Sequence, residues 1–292
     1  MGTTGLRYQY TRLSIAEKLI VINVAVFLLD LLIPFFLKLP GEAISVWFEL
    51  PKEISRFLSQ PWSLVTYAFF HGSFGHIFWN MLLLYFSSRI LLNLFGDRKF
   101  INIYFLGIIA GGATFLISYN IFPVFYNANS ALIGASAGVM AVLIFVCAYI
   151  PQQEVRLIFF NVRLWVVGLT VVLLDLIQMG SGNAGGHLAH LGGALLGYVY
   201  ARQLTGGRDI GEGFAKMLDS IGNLFKPKAK KAPLKTVYRK QRNTGSRTVK
   251  NSDKASQQRK IDEILDKIGK SGYESLSKAE KDFLFKAGKE DQ

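Results

Sequence analysis

Long apolar segments alternate with short polar connections along roughly the first two thirds of the chain, and a polar, basic segment follows them. A membrane-spanning helix needs about 20 predominantly apolar residues. Six segments approach that requirement, so the pattern predicts an all-α, polytopic membrane protein with a bundle of six transmembrane helices. The predicted spans are 19–39, 74–94, 101–121, 132–150, 164–179 and 187–204.

The same pattern divides the chain into an N-terminal arm, a membrane domain, a basic flexible linker and a small C-terminal helical hairpin. In the last part, isoleucine and leucine recur at helical spacing after Ser256. Ser277 and Glu280 then have the spacing of a capping box. The predicted boundaries are 1–18, 19–204, 205–256 and 257–292.

Composition agrees with this division. The chain has 292 residues, is 51% hydrophobic and carries a net charge of +13, which is too apolar for an ordinary soluble domain and too charged for a chain wholly in lipid. We expect the basic tail to lie near anionic lipid headgroups, where each basic residue adds about 1 kcal/mol of attraction. No nucleic-acid partner is expected, because no aromatic platform accompanies the basic run. The single cysteine, Cys147, excludes an intrachain disulfide.

Lysine and arginine set the predicted orientation, because they concentrate in cytoplasmic loops. They occur in the N-terminal arm and in the second-to-third and fourth-to-fifth loops, and they are absent from the third-to-fourth and fifth-to-sixth loops. We therefore expect both termini in the cytoplasm. The first apolar run is long and reads as a permanent span. Short connections and the lack of an organelle-targeting pattern favour a bacterial inner membrane. The aromatic-rich connection 40–66 predicts a partly helical interfacial loop.

A serine between small residues, in Gly134-Ala135-Ser136-Ala137-Gly138, lies at the start of the fourth span. The pattern has three interpretations: a helix-packing seam, the G-x-S-x-G nucleophile elbow of a soluble hydrolase, or a serine nucleophile inside a membrane. The soluble hydrolase is disfavoured because no strand–helix alternation surrounds the serine. Gly134, Gly138, Gly193 and Gly197 predict packing between the fourth and sixth spans, which would bring Ser136 within hydrogen-bond reach of His190.

The four histidines, His71, His76, His187 and His190, all lie at the start of the second or sixth span. In the predicted orientation, the second, fourth and sixth spans enter the membrane from the outside. Ser136 would lie about 6 Å below the start of its span, and His190 at a similar depth. Topology thus collects the serine, the histidines and Asn80 in one layer. Polar side chains at such a depth indicate a functional site.

Chemistry then suggests roles for these side chains. A serine hydroxyl needs a base to take its proton, and histidine suits that task at neutral pH. Attack on a carbonyl creates an oxyanion, for which the Ser136 N–H, Asn80 and His76 are available donors. No acid is predicted to orient the histidine, and Asp175 in the fifth span is the only nearby candidate. We therefore expect a Ser–His dyad with no cofactor and no metal site.

Three segments, in this order, resemble the motifs of the rhomboid intramembrane serine proteases. They are His71-Gly72-Ser73-Phe74-Gly75-His76-Ile77-Phe78-Trp79-Asn80, Gly134-Ala135-Ser136-Ala137 and Ala189-His190-Leu191-Gly192-Gly193-Ala194. The resemblance implies a rhomboid-like bundle in which Ser136 is the nucleophile, His190 the base, and His76 and Asn80 bind the oxyanion. His187, His71, Gly134 and Met140 are possible accessory residues. Met140 stands where many relatives have an aromatic residue against the catalytic histidine.

The resemblance implies a serine endopeptidase that cleaves single-span membrane proteins near the outer face of the membrane. An alternative is a catalytically inactive rhomboid-like protein that binds membrane clients, although such proteins usually lose the serine or the histidine. A transporter would use the same buried polar layer, yet no repeated half-structure is visible in the sequence.

Overall fold

The computed structural model describes residues 5–157, 160–180, 182–225 and 249–290, and these residues are mostly helical. They form two compact units, Met1–Pro227 and Lys228–Gln292. The helices are α1 (Leu6–Arg12), α2 (Ile15–Leu37), α3 (Ile54–Ser59), α4 (Ser63–Thr66), α5 (Phe74–Ile121), α6 (Ser136–Tyr149), α7 (Leu164–Gln178), α8 (Ala184–Thr205), α9 (Glu212–Phe225), α10 (Val249–Ser271) and α11 (Lys278–Glu290). The strands are β1 (Leu50–Pro51), β2 (Ala131–Leu132), β3 (Glu154–Leu157) and β4 (Phe160–Arg163), paired antiparallel as β1–β2 and β3–β4.

Two helices of the described residues, α2 and α5, are long and apolar enough to cross a membrane. Helix α5 has 48 residues and bends at Gly96, whose backbone is non-helical with φ 74° and ψ −175°. That bend falls between the predicted second and third spans. Helices α6 and α7 are apolar but shorter. The count of six spans therefore stays a prediction.

Helix α2 shows why the surface of the first unit suits lipid. Its most apolar 18-residue window is only 17% buried, and Phe35 and Phe36 are 74% and 72% exposed. A helix that is apolar on all sides belongs in a large core or in a membrane. The rest of the first unit covers only a small part of α2. The exposed apolar surface of this helix is therefore suited to contact with lipid.

Helix α6 is the centre of the first unit, because its residues from Ala137 to Cys147 are all buried. Glycines on the neighbouring helices allow this packing. A Cβ on Gly193 would lie 2.1 Å from the Ala137 carbonyl oxygen, and one on Gly197 would lie 2.3 Å from that of Ala141. The predicted packing of the fourth and sixth spans is thus confirmed between α6 and α8. Gly138 instead faces Tyr104 on α5, and Gly134 faces His76 on the same helix, so the prediction is wrong for these two glycines.

The predicted start of the fourth span is also wrong. Leu132 pairs with Leu50 in the β1–β2 ladder, and Gly134 has φ 119°, which no helix accommodates. The helix consequently begins at Ser136. Helix α8 begins earlier than predicted, because the Asn183 side chain accepts a hydrogen bond from the Gly186 N–H at 3.2 Å. Ser136 is therefore the first residue of its helix, whereas His190 is six residues after the first residue of α8, Ala184. The prediction that both lie equally far from the starts of their helices is wrong.

The connection 40–66 is partly helical, as predicted, and contains α3, α4 and a 3₁₀ turn at Ser45–Trp47. It leads into Tyr67, which ties this side of the molecule to the bundle. The Tyr67 hydroxyl donates to the Ile108 carbonyl at 2.8 Å, and the Tyr67 carbonyl accepts from the Gly134 N–H at 3.0 Å. The loop before Ser136 is therefore anchored to a fully buried tyrosine.

The segment predicted as a flexible linker contains an ordered helix, α9, which differs from the prediction. Asn102 donates to the Gly211 carbonyl at 3.1 Å just before α9, and Lys99 forms an ion pair with Asp209. Burial alone would raise the pKa of Asp209, but hydrogen bonds from Lys99, Tyr200 and the Gly211 amide lower it below the ordinary value. Residues 226–248, which carry much of the predicted basic linker, lie outside the described residues.

The second unit contains α10, a 3₁₀ turn at Tyr273–Ser275 and α11. Helix α10 begins at Val249, inside the predicted linker, and passes through Gly269 before Gly272 ends it with φ 75°. The predicted capping box is confirmed: the Ser277 N–H donates to Glu280 at 2.7 Å, and the Glu280 N–H donates to the Ser277 hydroxyl at 3.4 Å. The Ser277 backbone hydrogen bond, with help from Lys267, lowers the pKa of Glu280 to about 2.

Candidate active site

Ser136 is the first residue of α6, and its position gives it two properties. The first N–H groups of a helix have no partner within the helix and carry a partial positive charge. Among the described residues, the Ser136 N–H donates to no protein acceptor. Ser136 is half-buried at this end of the helix. The serine therefore combines a nucleophilic oxygen with a backbone donor that can stabilise a negative charge.

Gly134 makes room for His76 next to the serine. A Cβ on Gly134 would lie 2.6 Å from His76 Nε2 and 3.7 Å from Ser136 Oγ. Both atoms thus border the space above Gly134, and any side chain there would displace the imidazole. The positive φ of Gly134 also favours glycine. Gly134, predicted as an accessory residue, shapes the space between the serine and His76.

The α6–α8 contact fixes the level of His190. Gly193 faces Ala137 and Gly197 faces Ala141, so the two helices run parallel and advance together, four residues on each. Moving three residues towards the N-terminus from the Gly193–Ala137 pair brings His190 to the same position along the helix axes as Gly134. The packing of small residues therefore places the histidine at the same height as the loop that carries the serine.

An acid contacts this histidine, contrary to the prediction. Asp175 Oδ1 lies 2.8 Å from His190 Nδ1 and 2.7 Å from His187 Nδ1. The side chains of Asp175, His187 and His190 are 9%, 12% and 22% exposed. A carboxylate at Nδ1 holds the proton on that nitrogen, which leaves the Nε2 lone pair of His190 to act as a base.

Among the described residues, no hydrogen bond joins the Ser136 hydroxyl to His190. The predicted hydrogen bond between these two residues is therefore absent from this state of the site. Catalytic hydrogen bonds are often long without substrate and shorten in the complex. The helix register and the contact with Asp175 define the arrangement of these side chains.

His71 and Asn80 support their neighbours. His71 Nε2 accepts a hydrogen bond from the Ala135 N–H at 3.4 Å, next to the serine, and its ring meets that of His76 edge-on at 5.0 Å between centroids. Asn80 donates one N–H to the His76 carbonyl at 2.9 Å, which leaves its second N–H available. His71 thus acts on the serine loop, and Asn80 lies one turn below His76 on the same helix.

Met140 is buried in α6, one turn after Ser136. The contacts of Asp175 with the two histidines are the part of this site that sequence reasoning missed. One available signal was the cost of a carboxylate in an apolar span, which requires a partner. The other was the three-residue spacing of His187 and His190, which puts both on one face of a helix.

The described helices and this cluster define a class: a helical, lipid-facing bundle with a serine at a helix start and a histidine–carboxylate pair on adjacent helices. Comparison with known families agrees with that class. Residues 58–206, half of the chain, match the family described as Rhomboid domain. The chain belongs to the rhomboid family, whose members are membrane-embedded. Residues 249–287 match a family of unknown function, DUF6576.

Individual relatives carry related names. The chain is 32% identical over 150 residues to presenilin-associated rhomboid-like protein, mitochondrial, of Rattus norvegicus, covering 50% of this chain and 38% of that protein. The Homo sapiens protein of that name is 31% identical with the same coverage. RHOMBOID-like protein 12, mitochondrial, of Arabidopsis thaliana is 27% identical over 158 residues, 50% of this chain and 47% of that protein. The chain thus spans less than half the length of these relatives. Their mitochondrial names give no support to a bacterial inner membrane.

Proposed function

We propose that this chain is an intramembrane serine endopeptidase that cleaves single-span membrane proteins near the outer face of the membrane. The observation that carries the proposal is the contact of His190 Nδ1 with Asp175. His190 lies on α8, which packs against α6, the helix that begins with Ser136. This arrangement supplies a nucleophile, a base with its tautomer fixed and a free backbone donor. The family of the chain includes intramembrane serine proteases.

In the proposed reaction, Nε2 of His190 takes the hydroxyl proton of Ser136 while Oγ attacks the scissile carbonyl carbon. The carbonyl π electrons move to oxygen, and the oxyanion accepts hydrogen bonds from the Ser136 N–H, His76 and Asn80. Asp175 stabilises the imidazolium, which then gives its proton to the leaving amine. Water, activated by the same histidine, hydrolyses the acyl-enzyme and restores Ser136.

The membrane sets two further requirements. We infer six spans, with α5 supplying two of them on either side of Gly96, and with both termini on the side marked by the lysine and arginine excess. Water must reach Ser136 through a polar cavity inside the bundle. The substrate helix must unwind locally, since its own hydrogen bonds shield a helical amide. Suitable substrates therefore have small or helix-breaking residues near the outer boundary.

The test is cleavage of a single-span model substrate by the full chain reconstituted in lipid vesicles. Ser136→Ala and His190→Ala are compared with Ser87→Ala, which removes a buried hydroxyl that donates only to carbonyls of its own helix. We expect both active-site changes to abolish cleavage and Ser87→Ala to retain it. Thermal unfolding of each variant checks that the fold is intact.

Cleavage that persists in Ser136→Ala would refute the proposal. If no form cleaves a panel of substrates, including sequences with small and helix-breaking residues, labelling by a serine-reactive fluorophosphonate distinguishes the alternatives. Labelling of the native chain but not of Ser136→Ala supports an active nucleophile. Absence of labelling favours a rhomboid-like protein that binds membrane clients without cleaving them.

A further inference from the structure

We propose that Asp175, His187 and His190 form a Zn²⁺ site and that zinc bound there switches off the protease. The three side chains present ligand atoms that all lie within 4.8 Å of one another. Two histidines and one carboxylate, with water as the fourth ligand, are a common zinc ligand set. The inhibitory part rests on the proposed function, whereas the binding part does not.

The three ligand atoms come from two neighbouring helices. His187 and His190 are three residues apart on one face of α8, and Asp175 approaches from α7. The two nitrogen-to-oxygen distances are 2.7 and 2.8 Å. Ligands of a tetrahedral zinc with bonds of about 2.0–2.1 Å lie roughly 3.3 Å apart. Zinc binding would therefore widen each of these contacts by about half an ångström. The ligand atoms that lie farther apart, all within 4.8 Å of one another, would draw together to the same spacing.

The surroundings favour this site over competing ones. The three side chains are 78% to 91% buried, with His190 the most exposed, so water is largely excluded but one side stays accessible. Within the described residues, this is the one group of three potential ligands gathered in this way. The thiol of Cys147 is buried elsewhere in α6 and offers no alternative. Calcium and magnesium prefer sites built from oxygen ligands, so the site discriminates against them.

Zinc binding would remove the base without changing the number of protons. In the metal-free site, each histidine holds its proton on Nδ1 and donates it to Asp175. Zinc takes the Nδ1 lone pair, so the proton of each neutral imidazole moves to Nε2. His190 then presents an N–H at Nε2 instead of a lone pair. It can no longer accept the proton of Ser136, and the attack on the substrate stops.

Binding is measured first, on the full-length Ser136→Ala variant in detergent micelles, so that no proteolysis occurs. Isothermal titration with Zn²⁺ should give one site per chain, and Co²⁺ should produce the visible absorption of a tetrahedral complex. Mg²⁺ should give no heat. Adding His187→Ala, or Asp175→Asn as a second variant that preserves side-chain shape, should weaken binding at least about 10-fold. His71→Gln, a change at a histidine outside the site, should leave binding unchanged.

Inhibition is measured next, on the native chain, with each variant normalised to its own zinc-free rate. Cleavage should fall as Zn²⁺ occupies the site and return when a chelator is added. His187→Ala should need at least about 10-fold more zinc for half inhibition. Failure of zinc to bind, or equal binding by His187→Ala and Asp175→Asn, overturns the proposal. Binding without any effect on cleavage overturns the inhibitory role. Binding by a chain that cleaves nothing supports the metal site and counts against the proposed protease.

Discussion

Replacing Gly193 by alanine should separate the two helices that bring the serine and the histidine together. The added Cβ would lie 2.1 Å from the Ala137 carbonyl oxygen, 2.8 Å from its carbon and 3.1 Å from the Cα of Ala137. All three are backbone atoms next to Ser136, so no flexible side chain can move aside. Either α8 must shift away from α6 or the helix that carries Ser136 must distort.

The size of that shift predicts the effect. Ordinary contact with a Cβ begins near 3.4 Å, so the helices must separate locally by about 1 Å, and a displacement of that size can lower a catalytic rate about 100-fold. Overpacking of a core costs about 1–3 kcal/mol in stability. We therefore expect Gly193→Ala to fold, to unfold at a lower temperature than the native chain and to lose about 99% of its cleavage rate.

The assay compares initial cleavage rates in vesicles with thermal unfolding for the native chain, Gly193→Ala and Gly222→Ala. Gly222 lies in α9, and a Cβ there meets nothing within 4 Å, so its replacement should preserve both rate and stability. Gly193→Ala with native cleavage and unchanged stability would refute the close α6–α8 packing. Lower stability with a native cleavage rate would show that the position of His190 relative to Ser136 does not depend on the contact between Gly193 and Ala137.

Three further changes test other parts of the structure. Asp175→Asn should lower kcat about 10–100-fold with little change in KM, since hydrogen bonds to charged groups contribute about 1.5–3 kcal/mol, and ¹⁵N NMR of His190 should report an altered tautomer. Gly134→Ala should abolish fluorophosphonate labelling of the serine, because its Cβ would lie 2.6 Å from His76 Nε2. Asp209→Asn should lower the unfolding temperature at pH 7. Because the pKa of Asp209 is lowered in the folded state, the ionised carboxylate stabilises the fold fully above the ordinary aspartate pKa of about 3.9. That stabilisation is lost as the pH falls through the folded-state pKa.

Each of these expectations has a clear contrary result. A native kcat and tautomer in Asp175→Asn would mean that the carboxylate does not orient the base. Normal labelling of Gly134→Ala would show that His76 is not held against the serine loop. An unfolding-temperature difference for Asp209→Asn that persists at strongly acidic pH would exclude the ionised carboxylate as its cause.

The sequence was sufficient to predict the parts of this fold that depend on local pattern. Hydropathy located the apolar helices to within a few residues at most ends. Gly193 and Gly197, four residues apart, predicted the α6–α8 contact, although Gly134 and Gly138 face α5. The capping box at Ser277 and Glu280 was readable because both partners lie within one helical turn. These features share a physical cause: the groups that determine each of them are neighbours along the chain.

Features that depend on distant pairing were not readable. Leu132 is apolar and resembles the start of a span, yet it pairs with Leu50, more than eighty residues earlier. No residue near Leu132 in the sequence indicates the pairing of β1 with β2. The predicted start of α8 is wrong in the other direction. Glycines after Asn183 lower the mean hydropathy, although the asparagine cap makes them helical. A hydropathy threshold therefore places one helix start too early and the other too late.

Asp175 shows how a motif can omit part of a site. The serine and histidine motifs each lie within one segment, whereas the carboxylate reaches His190 only because α7 returns beside α8. Along α7, Leu164, Gly168 and Asp175 are buried, and Val167, Val171 and Val172 pack partly against the core. The acid thus contacts His190 and is also one of the buried residues of its own helix. A movement of α7 away from α8 would take the acceptor Asp175 away from Nδ1 of His190. In the proposed reaction, the reactivity of Ser136 would therefore depend on how α7 packs against α8.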